Sequence, residues 1–122
     1  MEASILKSVK NILGLAEDYT AFDEVVIIHI NAAFSTLTQL GVGPVDGFEI
    51  EDDGAEWTDF VDVPLVQLSP VKSYLYLRVR MLFDPPSTSF HIEAMKDQIK
   101  ELEWRLTTYR DWLLDPVDPM EV

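Results

Sequence analysis

The residues in this chain best spaced for chemistry are the acids of Glu49-x-Glu51-x-Asp53-Gly54, where alternate carboxylates ahead of a glycine echo the first half of a calcium-binding loop. Such a loop closes on its ion with a bidentate glutamate at the twelfth position and usually carries a hydrophobic residue at the eighth. Counted from Glu49, those two positions hold Phe60 and Glu56. The run is therefore read as an acidic loop facing solvent or a partner. Its candidate carboxylates are Glu49, Glu51, Asp52, Asp53 and Glu56, and no metal is expected on them.

Other catalytic chemistry is no better supplied. His29 lies inside the apolar run 25–30 and is expected to be a packed core residue, and His91 falls in the first turn of a helix with no metal-ligand spacing around it. There is no Gly-x-Ser-x-Gly elbow and no glycine-rich phosphate loop. The absence of cysteine removes disulfides, thiolate metal sites and a cysteine nucleophile. Neither a catalytic residue nor a cofactor is expected, and the chain is read as one that binds and assembles.

The elements that would position any binding surface are helical throughout. Ile5, Leu6, Val9, Ile12 and Leu13 share one face of a short helix between Ser4 as cap and Gly14 as stop. Thr20-x-x-Asp23 resembles a capping box ahead of a second helix, on which Phe22, Val26, Ile30, Ala33, Leu37 and Leu40 continue at spacings of three and four. Val25, Ile27, Ile28 and Phe34 add apolar surface off that stripe. Gly41-Val42-Gly43-Pro44 ends the helix and opens a long acidic connection of the kind that is often mobile or functional. Trp57, Phe60 and Val61 suit a short third helix.

Ser69-Pro70 reads as the N-cap and first residue of a fourth helix carrying Val71, Tyr74, Leu75, Val79, Leu82 and Phe83, stopped by Asp84-Pro85-Pro86. From a cap among Ser87, Thr88 and Ser89, a final helix places Ile92, Met95, Ile99, Leu102, Leu106, Tyr109 and Leu113 on one narrow seam. The fold class is all-α, a small bundle of four to five helices with a long C-terminal helix and a long acidic loop between the second and third. Residues 1–122 form a single domain, with 1–114 folded and 115–122 an acidic tail.

Charge narrows the functions further. Nine basic and 22 acidic residues give a net charge of -13, and residues 11–71 hold twelve acids with no Lys or Arg. Residues 72–110 reverse this, with seven bases against five acids. Most of this surface would repel a polyanion, so sequence-specific nucleic-acid binding is not expected. The asymmetry suits one face meeting the opposite face of a neighbouring copy. Residues 1–14 lack the continuous apolar core of a signal peptide, and no stretch approaches the ~20 apolar residues of a membrane span, so neither export by that route nor a membrane partner is expected.

Trp104, Arg105 and Trp112 flank the last seam, and residue types of this kind dominate interface hot spots. With Tyr109 and the outer bases Arg78 and Arg80 of the fourth helix, they form the candidate interface. A second buried face accounts for the tryptophans equally well.

Phe22-Asp23 with Ile30-Asn31-Ala32-Ala33, then Leu40-Gly41-Val42-Gly43, then Val71-Lys72 through Tyr76 to Leu82-Phe83-Asp84-Pro85-Pro86 fall in an order that resembles the head-tail connector, or adaptor, proteins of long-tailed bacteriophages and prophages. Ile99-x-x-Leu102-Glu103-Trp104-Arg105-Leu106 is similar to the version found in firmicute prophages. The resemblance implies a structural, non-enzymatic virion protein made in the bacterial host cytoplasm. It implies partners as well: further copies of itself in a ring of about twelve, the portal protein, and a stopper or tail completion protein, with genomic DNA passing without sequence-specific contact. Two other readings of the residues stay open, an acidic DNA-mimic inhibitor and a helical adaptor in a cellular complex.

Overall fold

The computed structural model describes residues 4–61 and 68–114, with side chains described as far as residue 108. Five helices follow in order: α1 (Ile5–Leu13), α2 (Asp23–Gln39), α3 (Trp57–Phe60), α4 (Ser69–Phe83) and α5 (Ser89–Leu114). Helix α4 sits at the centre, with α2 and α5 packed along it and α1 lying across α2 and α4. The expected all-α bundle is the fold. No helix among the described residues is long and apolar enough to cross a membrane.

Local chemistry sets the helix ends. Ser4 Oγ accepts from Lys7 N, and Gly14, at φ 83°, closes α1 with its N–H on the Asn11 carbonyl while Leu15 N reaches Lys10 O. At the end of α2, Gly41 is also left-handed (φ 83°), Gly41 N bonds Thr38 O, and Val42 N bonds Leu37 O at 2.8 Å. Those two bonds and the buried Val42 and Leu37 make a Schellman close, with its usual hydrophobic contact. Thr88 caps α5, its hydroxyl accepting from His91 N and pairing with His91 Nδ1 at 2.7 Å.

The start of α2 departs from expectation. Phe22, not Thr20, occupies the cap position without a side-chain bond, and Asp23 is drawn away from any capping box by the ammonium of Lys10. Lys10 is only 2% exposed. Its Nζ lies 2.8 Å from Asp23 Oδ1 and donates to the carbonyls of Glu17 (3.1 Å) and Tyr19 (2.8 Å). Two of its donors are thus met by carbonyls and its charge by the Asp23 carboxylate.

Other positions also differ from the stripes. Ile12 and Leu82, both expected inward, are 52% and 53% exposed; Ile12 borders a shallow cleft with Tyr76, Arg80 and Asp84. His29 is half-buried, not a core residue, because the core face of α2 is taken by Val26, Ile30, Ala33, Phe34 and Leu37. Of the off-stripe residues of α2, Phe34 is fully buried while Val25 and Ile28 stay exposed. Helix α4 begins at Ser69 itself, after Leu68 at the cap position.

Helix α5 lies on α4 through Met95, Ile99 and Leu106, with Leu102 partly covered; Tyr109 and Leu113 of the expected seam have side chains outside the described residues. A polar network fixes the register of these helices. The Tyr74 hydroxyl, on a buried ring of α4, donates to Glu103 Oε2 of α5 at 2.7 Å. Arg78 reaches the Tyr74 oxygen (3.4 Å), Thr36 Oγ1 of α2 (3.3 Å) and Glu103 Oε2 (3.6 Å). Burial first, and then the bond to the Glu103 carboxylate, push the Tyr74 phenol well above its ordinary range.

Two outcomes are expected. Lys10→Met leaves the Asp23 carboxylate without its counter-charge and two carbonyls without their donor, and lowers unfolding free energy by about 2–4 kcal/mol; a urea midpoint unchanged from wild type would contradict this account of α1. For Tyr74 the sign follows from its raised folded-state value: the unfolded phenol, near 10, releases its proton first, so the contribution is complete below about pH 10 and shrinks as pH rises beyond it. Tyr74→Phe is therefore expected to cost about 1–2 kcal/mol at pH 7, and the gap from wild type should narrow from pH 10 to 11. A gap that stays constant over that window sinks the assignment.

Candidate assembly interface

The outer side of α5 carries two of the most exposed aromatic side chains among the described residues. Trp104 is 69% exposed and Phe90 77% exposed. Almost four helical turns separate them, so at 3.6 residues per turn they fall on one side of the helix. Trp104 is therefore not part of a second buried face. Arg105 is exposed next to it, its guanidinium 2.9 Å from Glu101 Oε1 one turn back, an exposed pair of small energetic weight. Tyr109 and Trp112 lie on the last turns of α5, with side chains outside the described residues. Phe90 was not legible as a surface residue, because it stands in the first turn beside the cap and off the seam, where an apolar residue has no periodic partner.

The two arginines of α4 sit differently from the α5 residues. Arg78 is half-buried and held by Tyr74, Thr36 and Glu103, so it joins three helices from within. Arg80 Nη1 donates to the Tyr76 hydroxyl at 3.1 Å and its Nε to the Asp84 carbonyl at 3.4 Å. That placement sets a positive charge at the C-terminal end of α4, where the helix dipole favours it.

The acidic loop is tied down along its backbone. The Asn31 side chain of α2 brackets Ile50, donating through Nδ2 to its carbonyl (3.0 Å) and accepting its N–H on Oδ1 (2.8 Å). Ile50 is buried, and Phe48 packs edge-on against both Phe34 and Phe60. Ser4 Oγ donates to Asp53 O, Ile5 N donates to Ala55 O, and Trp57 Nε1 donates to Ser8 Oγ. Gly43, at φ 93°, lies where a β-carbon would come within 2.6 Å of Phe60 Cζ, so only glycine fits. A connection of a length that is often mobile or functional is thus a packed part of the fold.

Its carboxylates point outward from this spine, with Glu49, Glu51, Asp52, Asp53 and Glu56 all exposed. Asp52 Oδ1 accepts from Gly54 N at 2.8 Å, and Asp59 closes a capping box with Glu56 at the start of α3. Lys7 Nζ stands 3.9 Å from Asp53. Among the described residues no group of three or more His, Asp or Glu side chains converges as metal ligands would. Beside the loop runs a polar cleft of about 480 Å³, bordered by Asn31, Ser35, Thr38 and Gln39 of α2 and by Asp46 and Glu49. The arrangement displays fixed negative charge on one side and aromatic surface on another.

No curated protein and no solved structure matches the chain. Residues 5–112, from the start of α1 to the last turn of α5, match the family of phage connector proteins. The chain belongs to the phage connector protein family, and it is a structural phage protein of the connection between head and tail.

Proposed function

We propose that the protein is a non-enzymatic adaptor that assembles as a ring, of about twelve copies by resemblance to such connectors, between the portal vertex and the stopper or tail completion protein. The observation that carries this is the outer side of α5, where Phe90 and Trp104 stand in solvent on a helix locked to α4. A large, rigid, amphipathic ring exposed on a fixed helix is a costly surface unless a partner covers it. Trp104 and Arg105, with Tyr109 and Trp112 further along the helix, are the contacts assigned to neighbouring copies or the portal. Arg78 supports them indirectly by holding α5 in place, and Arg80 faces the cleft by Ile12.

The acidic loop is assigned to the lumen or to a partner. With a net charge of -13, a ring of such chains repels the phosphate backbone and lets DNA pass without adhering. This reading places the protein in the virion after synthesis in the host cytoplasm.

Trp104→Ala tests the assignment residue by residue. The side chain is exposed, so thermal unfolding should move by no more than about 0.5 kcal/mol, while truncation of an interface anchor should cost about 2 kcal/mol or more per contact. Electron microscopy of lysates from a prophage-bearing strain provides the readout. An early stop codon in the gene is expected to leave separate heads and tails, complementation with wild type to restore whole particles, and complementation with the Trp104→Ala gene to restore few. Normal virions in normal yield from the stop-codon strain would remove the connector role, and an unfolded Trp104→Ala chain would return that residue to the core.

A further inference from the structure

One surface cleft combines an apolar floor with positive charge. Between α4 and α5, Met81, Leu82 and Ile99 line a depression of about 320 Å³ flanked by Lys96 and Lys100. Arg78 and Glu103 also border it and pair with each other. Leu82 is half in solvent, Lys96 makes only a loose 3.8 Å contact with Glu93, and Lys100 forms no ion pair among the described residues. The cleft suits an aliphatic side chain with carboxylates beside it.

The chain displays that combination itself, just past the end of α2. Pro44-Val45-Asp46-Gly47 is a turn closed by Gly47 N on Pro44 O at 3.0 Å. Val45, at its apex, is 95% exposed, the most of any large apolar residue described. Asp46 beside it and Glu49 three residues on are exposed as well, and neither forms an ion pair among the described residues. Both flanks of the turn are held. Val42 before it is buried and bonded to Leu37 O, and Phe48 after it packs edge-on against Phe34 and Phe60. A lone exposed valine is ordinary. This one stands on a fixed apex between carboxylates, which is the complement of the cleft in both polarity and charge.

The two features lie too far apart to meet within one chain. Phe22, at the start of α2, packs edge-on against Phe83, the neighbour of Leu82, at 5.4 Å between ring centres. Val45 follows the opposite end of α2, a helix of 17 residues and so about 25 Å long. We propose that the Val45 turn of one copy docks in the α4–α5 cleft of a neighbouring copy, with Val45 on Leu82 and Ile99 and with Asp46 and Glu49 opposite Lys96 and Lys100. Glu51, Asp52, Asp53 and Glu56 stay outside the contact. Because it joins one end of a copy to the other end of the next, the contact is heterologous and repeats from copy to copy. This rests on the reading that copies lie side by side, but it is measurable on the purified chain, apart from any particle.

The chain has no cysteine, so Val45→Cys and Leu82→Cys each introduce a single thiol, both at exposed positions. Nitrogen-15-labelled Val45→Cys chain is mixed in equal amount with unlabelled Leu82→Cys chain at millimolar concentration. The thiols are oxidised with a copper catalyst, and intact masses separate mixed dimers from the two kinds of like dimer. Random collision gives mixed and like dimers in equal amounts, whereas docking is expected to give a mixed excess of about five-fold or more. Lys96→Glu with Lys100→Glu in the Leu82→Cys chain should return the ratio to equality, and Asp46→Lys with Glu49→Lys in the Val45→Cys chain should then bring the excess back. Every substituted side chain is exposed, so circular dichroism should show each variant as helical as wild type. An equal ratio in the parent pair, or an excess that the charge reversals leave untouched, overturns the proposal. Failure here with virions still dependent on the gene would leave the ring standing on other contacts; an excess as expected with virions independent of it would leave a self-docking chain that is not a connector.

Discussion

Everything in the first half of the molecule depends on finding partners for one buried ammonium. Removing a lysine from water costs several kcal/mol unless its charge is paired and its donors find acceptors. Lys10 meets that condition only if residues 14–22 wrap back so that two carbonyls face it and α2 begins with Asp23 against it. Asp23 Oδ1 is buried without a hydrogen bond and has the Lys10 charge beside it, so the dependence is mutual. The first turn of α2 gains as well, since Asp23 and Glu24 place negative charge at the positive end of its dipole. Once the start of α2 is set, Asn31 stands two turns on, and its bonds to Ile50 fix the acidic loop that in turn covers Phe34 and Phe60.

Helix α4 transmits the same order to the second half. It carries the buried stripe of Val71, Tyr74, Leu75 and Val79 and packs against both α2 and α5, so its placement constrains two partners at once. Apolar packing alone tolerates sliding by a turn. The Thr36, Arg78, Tyr74 and Glu103 network does not, because a shift of one turn would strand a buried hydroxyl and an arginine without their acceptors. Specific polar contacts buried among apolar ones thereby hold α5 in one register, and only a helix so held presents Phe90 and Trp104 as a rigid surface.

The helix order was legible because each helix carries its own stop signals: Gly14, Gly41 and the Asp84-Pro85-Pro86 stop act within a few residues of where they are written. The long seam of α5 was legible for a similar reason, in that Met95, Ile99 and Leu106 repeat at a spacing only a helix brings into line. What escaped were contacts between residues far apart in the chain. Lys10 scores as polar, and nothing local says that its charge is met by Glu17, Tyr19 and Asp23. The clasp of Asn31 on Ile50 joins positions nineteen apart, so a loop of a length that is often mobile or functional is pinned. Ile12, Leu82 and Phe90 show the opposite failure: periodicity finds apolar residues but cannot say whether the surface that covers them belongs to the same chain. For Trp104 a pattern off the seam suited burial and exposure alike, and only the placement of α5 separates the two.

The division of charge follows from the same architecture. An acidic segment on a mobile tether would average its field over many positions and be screened within the Debye length of about 8 Å at physiological salt. Here the backbone is fastened to α2 at Ile50 and to the start of α1 at Asp53 and Ala55, so five exposed carboxylates stand on a fixed stretch of chain. Lys96 and Lys100 lie elsewhere, on α5 beside the cleft with α4. A subunit with a fixed negative side and a separate basic, apolar cleft resists stacking like side on like side, which costs repulsion, and favours contacts that bring unlike sides together. Heterologous contacts of that kind close into rings when the rotation per subunit permits. In the proposed ring the repulsive side is then left facing whatever is not a subunit, and for a channel that carries DNA that is the side best suited to the lumen.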